Sequence, residues 1–354
     1  MIKIPDRYKP DGGLDSGGFG AVVFCEDQHL SRRVAIKFIK NPVDNRRVLD
    51  EIHALLKLRS KHVVQIYDII HGRAGDIGIV EEFIDGPDLW DHPVPRKSIE
   101  IYLKTLWQIS SGLADIHSFG IIHRDIKPNN MKLDHEGIIK IYDFGLAREE
   151  GPDAVTKGFV GTHGFSAPEL YETETVTFSS AIDVYAFAAT AYFLTGKRLP
   201  EELCKVPPEP LATEAFLETP VQIPSSLAGL LAQCLDHDPY ERPNMAAVRD
   251  EIARRLLRNR HQALAVLNGE AFYLNAKKRK VRLELSEVGK VEIGYDGLRF
   301  SVKSVEGEVY VNNRSCTVGL ELPGSCVVAI GGGHRPSSQR AFISFDVSNP
   351  EVIV

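Results

Sequence analysis

His123-Arg124-Asp125-Ile126-Lys127-Pro128-Asn129-Asn130 is followed after a short gap by Asp143-Phe144-Gly145. The two stretches place charged and amide-bearing side chains on short loops joined by a β-hairpin. Asp125 can accept a proton from a hydroxyl, and Lys127 can neutralise a phosphate. Asn130 and Asp143 offer the hard oxygens that Mg²⁺ takes. The bland alternative is a charged turn followed by an unrelated surface aspartate. Further parts of the same machinery occur in order on both sides, which counts against it.

At 354 residues the chain is long enough for two domains, or for one large domain with an appendage. Its 43% hydrophobic and 25% charged content is that of an ordinary globular protein, and a net charge of −6 speaks against nucleic acid as the main partner. The first residues, Met1-Ile2-Lys3-Ile4-Pro5-Asp6, lack the apolar core of a signal peptide. The most apolar helical stretch, Val184 to Leu194, is too short to span a bilayer. The five cysteines are scattered and odd in number, as in reduced cytoplasmic proteins, and none has metal-ligand spacing.

In the order H-R-D-x-K-x-x-N then D-F-G, the opening stretch resembles the catalytic and metal loops of eukaryotic-type (Hanks-type) serine/threonine protein kinases. The resemblance implies an α+β, two-lobed kinase fold over residues 1–260, with an N-lobe to 85 and a C-lobe from 86. It also implies ATP and Mg²⁺, with Asp125 and Lys127 catalytic and Asn130 and Asp143 as metal ligands.

Leu14-Asp15-Ser16-Gly17-Gly18-Phe19-Gly20-Ala21-Val22 reads as strand, glycine loop, strand. A dinucleotide-binding turn is disfavoured because the glycines lead into the strand-like Val22-Val23-Phe24-Cys25, not into a helix. Asp15 stands where the family has its first glycine. Val34-Ala35-Ile36-Lys37 matches the family's third strand, and Glu51, on a helix predicted from Arg46 to Leu58, matches the glutamate that orients the lysine. The family match makes Leu14, Gly17, Gly18, Gly20, Val22, Ala35, Lys37, Glu82 and Ile84 the nucleotide-binding set, the Glu82 carbonyl and Ile84 amide meeting adenine.

Two neighbours of that set depart from the pattern. Glu81 falls where the family has an apolar residue or Thr, and Lys132 where an apolar residue underlies the base. Either the two approach each other at the back of the nucleotide site or each reaches water separately.

Ser98 to Phe119 reads as a long amphipathic helix leading into the catalytic loop. By resemblance, Arg124 takes an anion placed on the segment from Asp143 to Glu169. Thr156 is then the preferred regulatory phosphosite, or an ordinary loop hydroxyl. Thr162 supports Asp125 and Lys127, and with Lys127 it favours Ser/Thr over Tyr substrates. Glu169 should pair with Arg242, and Asp183 should hold the catalytic-loop backbone. Leu55, Ile66, Phe144 and His123 should stack into a spine, so His123 is read as packing and hydrogen bonding. Pro200 to Pro224 reads as loops around one short helix.

After about Arg260 the helical stripes give way to β-branched alternation over Val281–Leu285, Val291–Ile293, Leu298–Val302, Val309–Val311, Cys326–Ile330 and Ala341–Phe345. Residues 261–354 are therefore expected to form a small all-β sandwich. Stretches around Gly294-Tyr295 and Tyr310 to Cys326 resemble in part a forkhead-associated domain, with Tyr295 where that family has a phosphate-binding arginine. The run Lys277-Lys278-Arg279-Lys280 reads as a solvated hairpin turn or an anionic-partner site.

The expected function is transfer of the γ-phosphoryl of Mg·ATP to Ser or Thr of a protein substrate, with autophosphorylation. A pseudokinase scaffold is the rival, favoured by Asp15, Glu81 and Lys132. The tail is expected to regulate or recruit, through a second copy or the chain's own kinase lobe. Membrane and nucleic acid are not expected partners, and the expected location is the cytoplasm.

Overall fold

A computed structural model describes residues 3–17, 20–39, 45–72, 76–91, 98–144, 162–171, 179–196, 198–267 and 269–348. The chain divides into two units, residues 1–252 and 253–353.

The first unit begins with an antiparallel sheet of β1 (Tyr8–Gly17), β2 (Gly20–Asp27), β3 (Arg32–Ile39), β4 (Ile66–His71) and β5 (Ile77–Glu82), in the order β1-β2-β3-β5-β4. Helix α1 (Asn45–Lys57) lies between β3 and β4 in sequence. One face of the sheet buries Val34, Ile36 and Val80 with Tyr8 and Cys25, as the two-residue period of strands requires. Arg7 clamps Asp27 with two hydrogen bonds of 2.7 Å, so the segment before β1 is tied to the end of β2.

Leaving β5, the chain passes Gly86, where an added Cβ would lie 1.8 Å from the Leu133 carbonyl oxygen. Only glycine permits that approach. The chain then enters α2 (Ile99–Ser118), capped at its start by the Ser98 hydroxyl, which accepts from Ile101 N–H. Gly120, at φ +70°, ends it, and the catalytic stretch follows. Strands β6 (Met131–Leu133) and β7 (Ile139–Ile141) form the hairpin between the two loops. Helix α3 (Ala181–Gly196) is buried all round, which explains its continuous apolar sequence. Pro200 to Pro224 holds two short helices, α4 (Glu201–Cys204) and α5 (Thr213–Leu217), where the sequence reading had one. Helices α6 (Ser225–Cys234) and α7 (Met245–Leu256) follow.

The second unit contains two sheets. One has β10 (Lys280–Leu285), β11 (Gly289–Tyr295) and β12 (Phe300–Gly307) in that order. The other runs β14 (Arg314–Ser315), β13 (Val309–Val311), β15 (Ser325–Ile330), β16 (Ala341–Ser348), β8 (Gln262–Leu267), β9 (Glu270–Leu274). Both sheets send alternate side chains into one core, including Leu283, Ile293, Val302, Val328, Ile343 and Phe345. Strands β8 and β9 are additions to the sequence reading: Ala263-Leu264-Ala265-Val266-Leu267 carries no helix-strand distinction by itself. Tyr295 is 3% exposed and its hydroxyl donates to the Gly297 carbonyl, so it is a core residue. In the basic run, Arg279 bonds the Asn259 side chain and Lys280 pairs with Glu292, both on the surface.

Among the described residues no helix is long and apolar enough to cross a membrane.

Candidate active site

The catalytic loop is built on Asp183. This carboxylate, 1% exposed in the first turn of α3, accepts from the backbone N–H of His123 and of Arg124, each at 2.8 Å. His117 Nε2 bonds the same group at 2.9 Å. Burial alone would raise the Asp183 pKa, yet the His117 bond and charge and the backbone donors hold it below the ordinary value. These donors offset a cost in the loop itself. Arg124 (φ +73°) sits in the left-handed region, a strain of roughly 1–3 kcal/mol for a non-glycine residue; in the loop after the hairpin, Asp143 (φ +63°) does the same.

His123 is fully buried. Its Nε2–H donates to the Tyr142 carbonyl at 3.0 Å, and its ring lies 4.7 Å from that of Phe144. Burial lowers its pKa, which keeps the ring neutral and suits packing. Leu55 and Ile66, the other spine residues expected, are buried as well.

Around Asp125 the side chains interlock. Its Oδ1 accepts from the Thr162 hydroxyl at 3.1 Å, and its Oδ2 meets Lys127 Nζ at 2.9 Å. Lys127 also donates to the Thr162 oxygen at 3.0 Å. Asn130 Nδ2 donates to the Asp125 carbonyl at 2.7 Å and to Oδ2 at 3.0 Å. Because the amide nitrogen is fixed this way, Asn130 Oδ1 is the end that serves as an acceptor. With the Asp143 carboxylate it makes a pair of hard oxygens, the chemistry that Mg²⁺ accepts when substrate phosphates complete its shell. The donor set fits that ion.

A cleft of about 730 Å³ adjoins this cluster. Val22, Phe24 and Ala35 line it from the sheet, Glu82, Phe83 and Ile84 from the strand exit, and Lys127, Asn130, Lys132, Tyr142 and Asp143 from the opposite side. Lys37, 8% exposed on β3, makes a direct ion pair with Asp143. Glu51 falls on α1, but its side chain is outside the described residues, as are those of Leu14, Gly17 and Gly20. Gly18, Thr156 and the segment 145–161 are likewise outside them. Gly17 and Gly20 face each other across the β1–β2 ladder.

Glu81 and Lys132 both line the cleft; no ion pair joins them among the described residues, though the lysine's charge acts on the carboxyl. Lys132 lies over the Tyr142 ring instead, 5.5 Å from its centroid. The carboxylate that does pair across the cleft's edge is Glu82, 2.9 Å from Lys140, which stands opposite Lys132 in the β6–β7 ladder. Burial pushes the Glu81 carboxyl up to about 7. Lys37 and Lys132 pull against that shift, and Asp143 and Glu82 add to it.

Glu169 and Arg242 form the expected pair, with two bonds of 2.7 and 2.8 Å. The Arg242 side chain is fully buried and also donates to the carbonyls of Asp236, Ala181 and His237. Phe24 and Tyr142 were missed as cleft residues. Phe24 lies two residues from Val22 on one strand face, so period-two spacing points to it. His117 carries no such signal, since its partner lies 66 positions away.

Comparison with known proteins follows the same lines. The chain is 34% identical over 204 residues to death-associated protein kinase dapk-1 of Caenorhabditis elegans, an alignment covering 53% of this chain and 14% of that protein. It is 35% identical over 180 residues to mitogen-activated protein kinase HOG1 of Phaeosphaeria nodorum, covering 49% of each. With HOG1B of Wallemia ichthyophaga it is 33% identical over 208 residues, 56% of this chain and 55% of that protein. The chain spans about half the length of the HOG1 relatives, and less of dapk-1. Residues 8–252 match the family model described as the protein kinase domain. That match takes in the Asp125 cluster, the Lys37–Asp143 pair and the cleft together, and the chain belongs to the protein kinase family.

Proposed function

We propose that the chain transfers the γ-phosphoryl group of Mg·ATP to Ser or Thr hydroxyls of protein substrates, itself included. The observation that carries this reading is the convergence of Asp125, Lys127, Asn130 and Thr162 on one cluster beside the cleft that holds Lys37 and Asp143.

Asp125 orients the substrate hydroxyl and accepts its proton; the Thr162 hydroxyl and the Asn130 amide fix the carboxylate for that task. Lys127, held between Asp125 and Thr162, screens charge on the moving phosphoryl group. Lys37 sits at the nucleotide end and steadies the α- and β-phosphates, with Glu51 as its orienting partner. Ala35, Val22 and Leu14 cover the base, and Glu82 and Ile84 meet it with backbone groups; the glycines of residues 17–20 let the backbone approach the phosphates. Asn130 and Asp143 hold Mg²⁺, which supplies charge neutralisation on the phosphate oxygens. Most of the rate in such chemistry comes from positioning and charge, and the side chains described are placed for both.

Thr156 is the proposed regulatory phosphosite, and residues 253–353 a regulatory or recruiting unit. A cytoplasmic setting is proposed on the five unpaired thiols.

The test is transfer of labelled γ-phosphate from ATP to a generic protein substrate and to the chain itself. Asp125→Asn is expected to lower kcat by about 10²–10⁴ with ATP binding retained, the range for losing a positioned base. ATP binding without any transfer by the wild type would replace this reading with that of a nucleotide-binding scaffold, for which the charged Glu81 and Lys132 in the cleft speak.

A further inference from the structure

The sheet and its exit do not supply all of the cleft's apolar lining. Trp90, Phe165 and Leu199 line it too, from three later stretches of the chain. Trp90 follows Leu89, whose N–H bonds the carbonyls of Pro128 and Met131 at 3.2 and 2.9 Å, so its backbone is tied to the catalytic stretch. The indole stacks on the ring of Phe193 in α3, with centroids 4.6 Å and planes 22° apart. Phe193 in turn meets Phe165 edge to face at 6.0 Å. Phe165 N–H donates to the Thr162 carbonyl at 3.0 Å, which fixes this ring to the residue that braces Asp125 and Lys127. Leu199 packs against Gly164, where an added Cβ would meet its Cδ1.

Phe193 and Phe165 are each 4% exposed, but Trp90 is left 41% exposed on the cleft wall. An indole already held by a stacked ring has little freedom left to lose. Covering it with an apolar side chain removes surface from water at small entropic cost. The acid beside it on this wall, Asp88, has one carboxylate oxygen engaged by the Asp91 N–H at 3.0 Å. A chain whose hydroxyl lay at Asp125 would pass this apolar wall with its neighbouring residues.

We propose that Trp90, with Phe165 and Leu199, selects protein substrates that carry a bulky apolar side chain within a few residues of the Ser or Thr hydroxyl. Trp90 is a specificity-determining residue in this scheme and touches no reacting atom. The proposal rests on the phosphoryl-transfer reading above.

Transfer of labelled γ-phosphate by the full chain to a peptide panel tests it. Each peptide has one central Ser or Thr, with Leu, Phe, Gly, Lys or Asp scanned through the flanking positions. The wild type is expected to show kcat/KM about tenfold higher for Leu or Phe than for Gly at one or more of these positions, the scale of an apolar pocket. Trp90→Ala should lose most of that preference through KM, with kcat on the Gly peptide unchanged, and Trp90→Phe should keep part of it. Trp90→His, a polar ring that can still stack on Phe193, gives the same comparison should the alanine variant fail to fold. Wild-type transfer indifferent to apolar neighbours, a preference that survives in Trp90→Ala, or an equal loss on every peptide would overturn the assignment to Trp90 while leaving phosphoryl transfer intact. So would transfer to a generic protein but to no peptide. A wild type that modifies neither peptides, nor a generic protein, nor itself would overturn the transfer reading as well.

Discussion

Asp183, 1% exposed, and Glu81, half-buried on the cleft wall, are both carboxylates of the first unit, and their surroundings drive them in opposite directions. Asp183 receives two backbone N–H groups and His117, and its pKa falls. Glu81 receives charge across the cleft, and burial carries its pKa up to about 7. Burial pushes both acids up, and only Asp183 has donors within bonding distance to reverse it. The first acid is part of the frame that shapes a loop. The second is a strain on the frame, on the strand paired with the one that carries Lys37.

Removing Asp183 should have the largest effect. Asp183→Ala leaves two backbone N–H groups and His117 without their acceptor, and a loss of about 3–5 kcal/mol is expected in urea unfolding, as for a broken buried network. A loss below about 1 kcal/mol would show that the loop holds its left-handed backbone without this seat.

Arg242 provides a second well-partnered charge. Arg242→Met alone strands Glu169 and is expected to cost about 3 kcal/mol, while the double variant with Glu169→Leu should recover part of that. Strict additivity of the two losses in the same unfolding assay would argue that the pair is not coupled.

Glu81→Leu marks the opposite pole. With no bonded partner to strand among the described residues, it is expected to leave stability unchanged or raise it by about 1 kcal/mol. A melting temperature well below the wild type's would place Glu81 with Asp183 and erase the contrast.

The smallest effect is a slope. From about 4.5, the ordinary glutamate value, up to about 7, folded Glu81 keeps a proton that the unfolded chain has released. Its contribution to stability thus declines as pH rises through that window. His62 works the other way: burial lowers it from 6.5 to about 4, so it withdraws stability as pH falls. The difference between Glu81→Gln and wild type isolates the first term, and the advantage of the variant should grow from about pH 5 to about pH 8. A difference that stays flat in denaturant titrations would mean that Glu81 ionises like an exposed acid.

The same contrast explains what could be read from the chain. Asp125, Lys127 and Asn130 lie within six positions of one another, so their chemistry stands side by side in the sequence, and the Asp143 loop follows one hairpin later. The strands of the second unit were visible where β-branched residues alternate. β8 and β9 were not, although Asn268-Gly269 between them is a hairpin signal. Partnerships across long separations carry no local mark. Lys37 and Asp143 are 106 positions apart, and Glu82 and Lys140 are 58. Whether Glu81 and Lys132 approach each other is left open by the sequence, which shows only that both border one cleft. The Tyr142 ring beneath the lysine and the β6–β7 ladder that carries it have no counterpart in any local pattern of the sequence.

The Thr162 hydroxyl donates to Asp125 and accepts from Lys127, so one oxygen braces the proposed proton acceptor and the proposed phosphate screen, which also meet directly. A displacement of residue 162 would remove one tie from each at once, while Asn130 still holds the Asp125 carboxylate. On the proposed mechanism, phosphoryl transfer would thus be open to weakening through residue 162, from the substrate side.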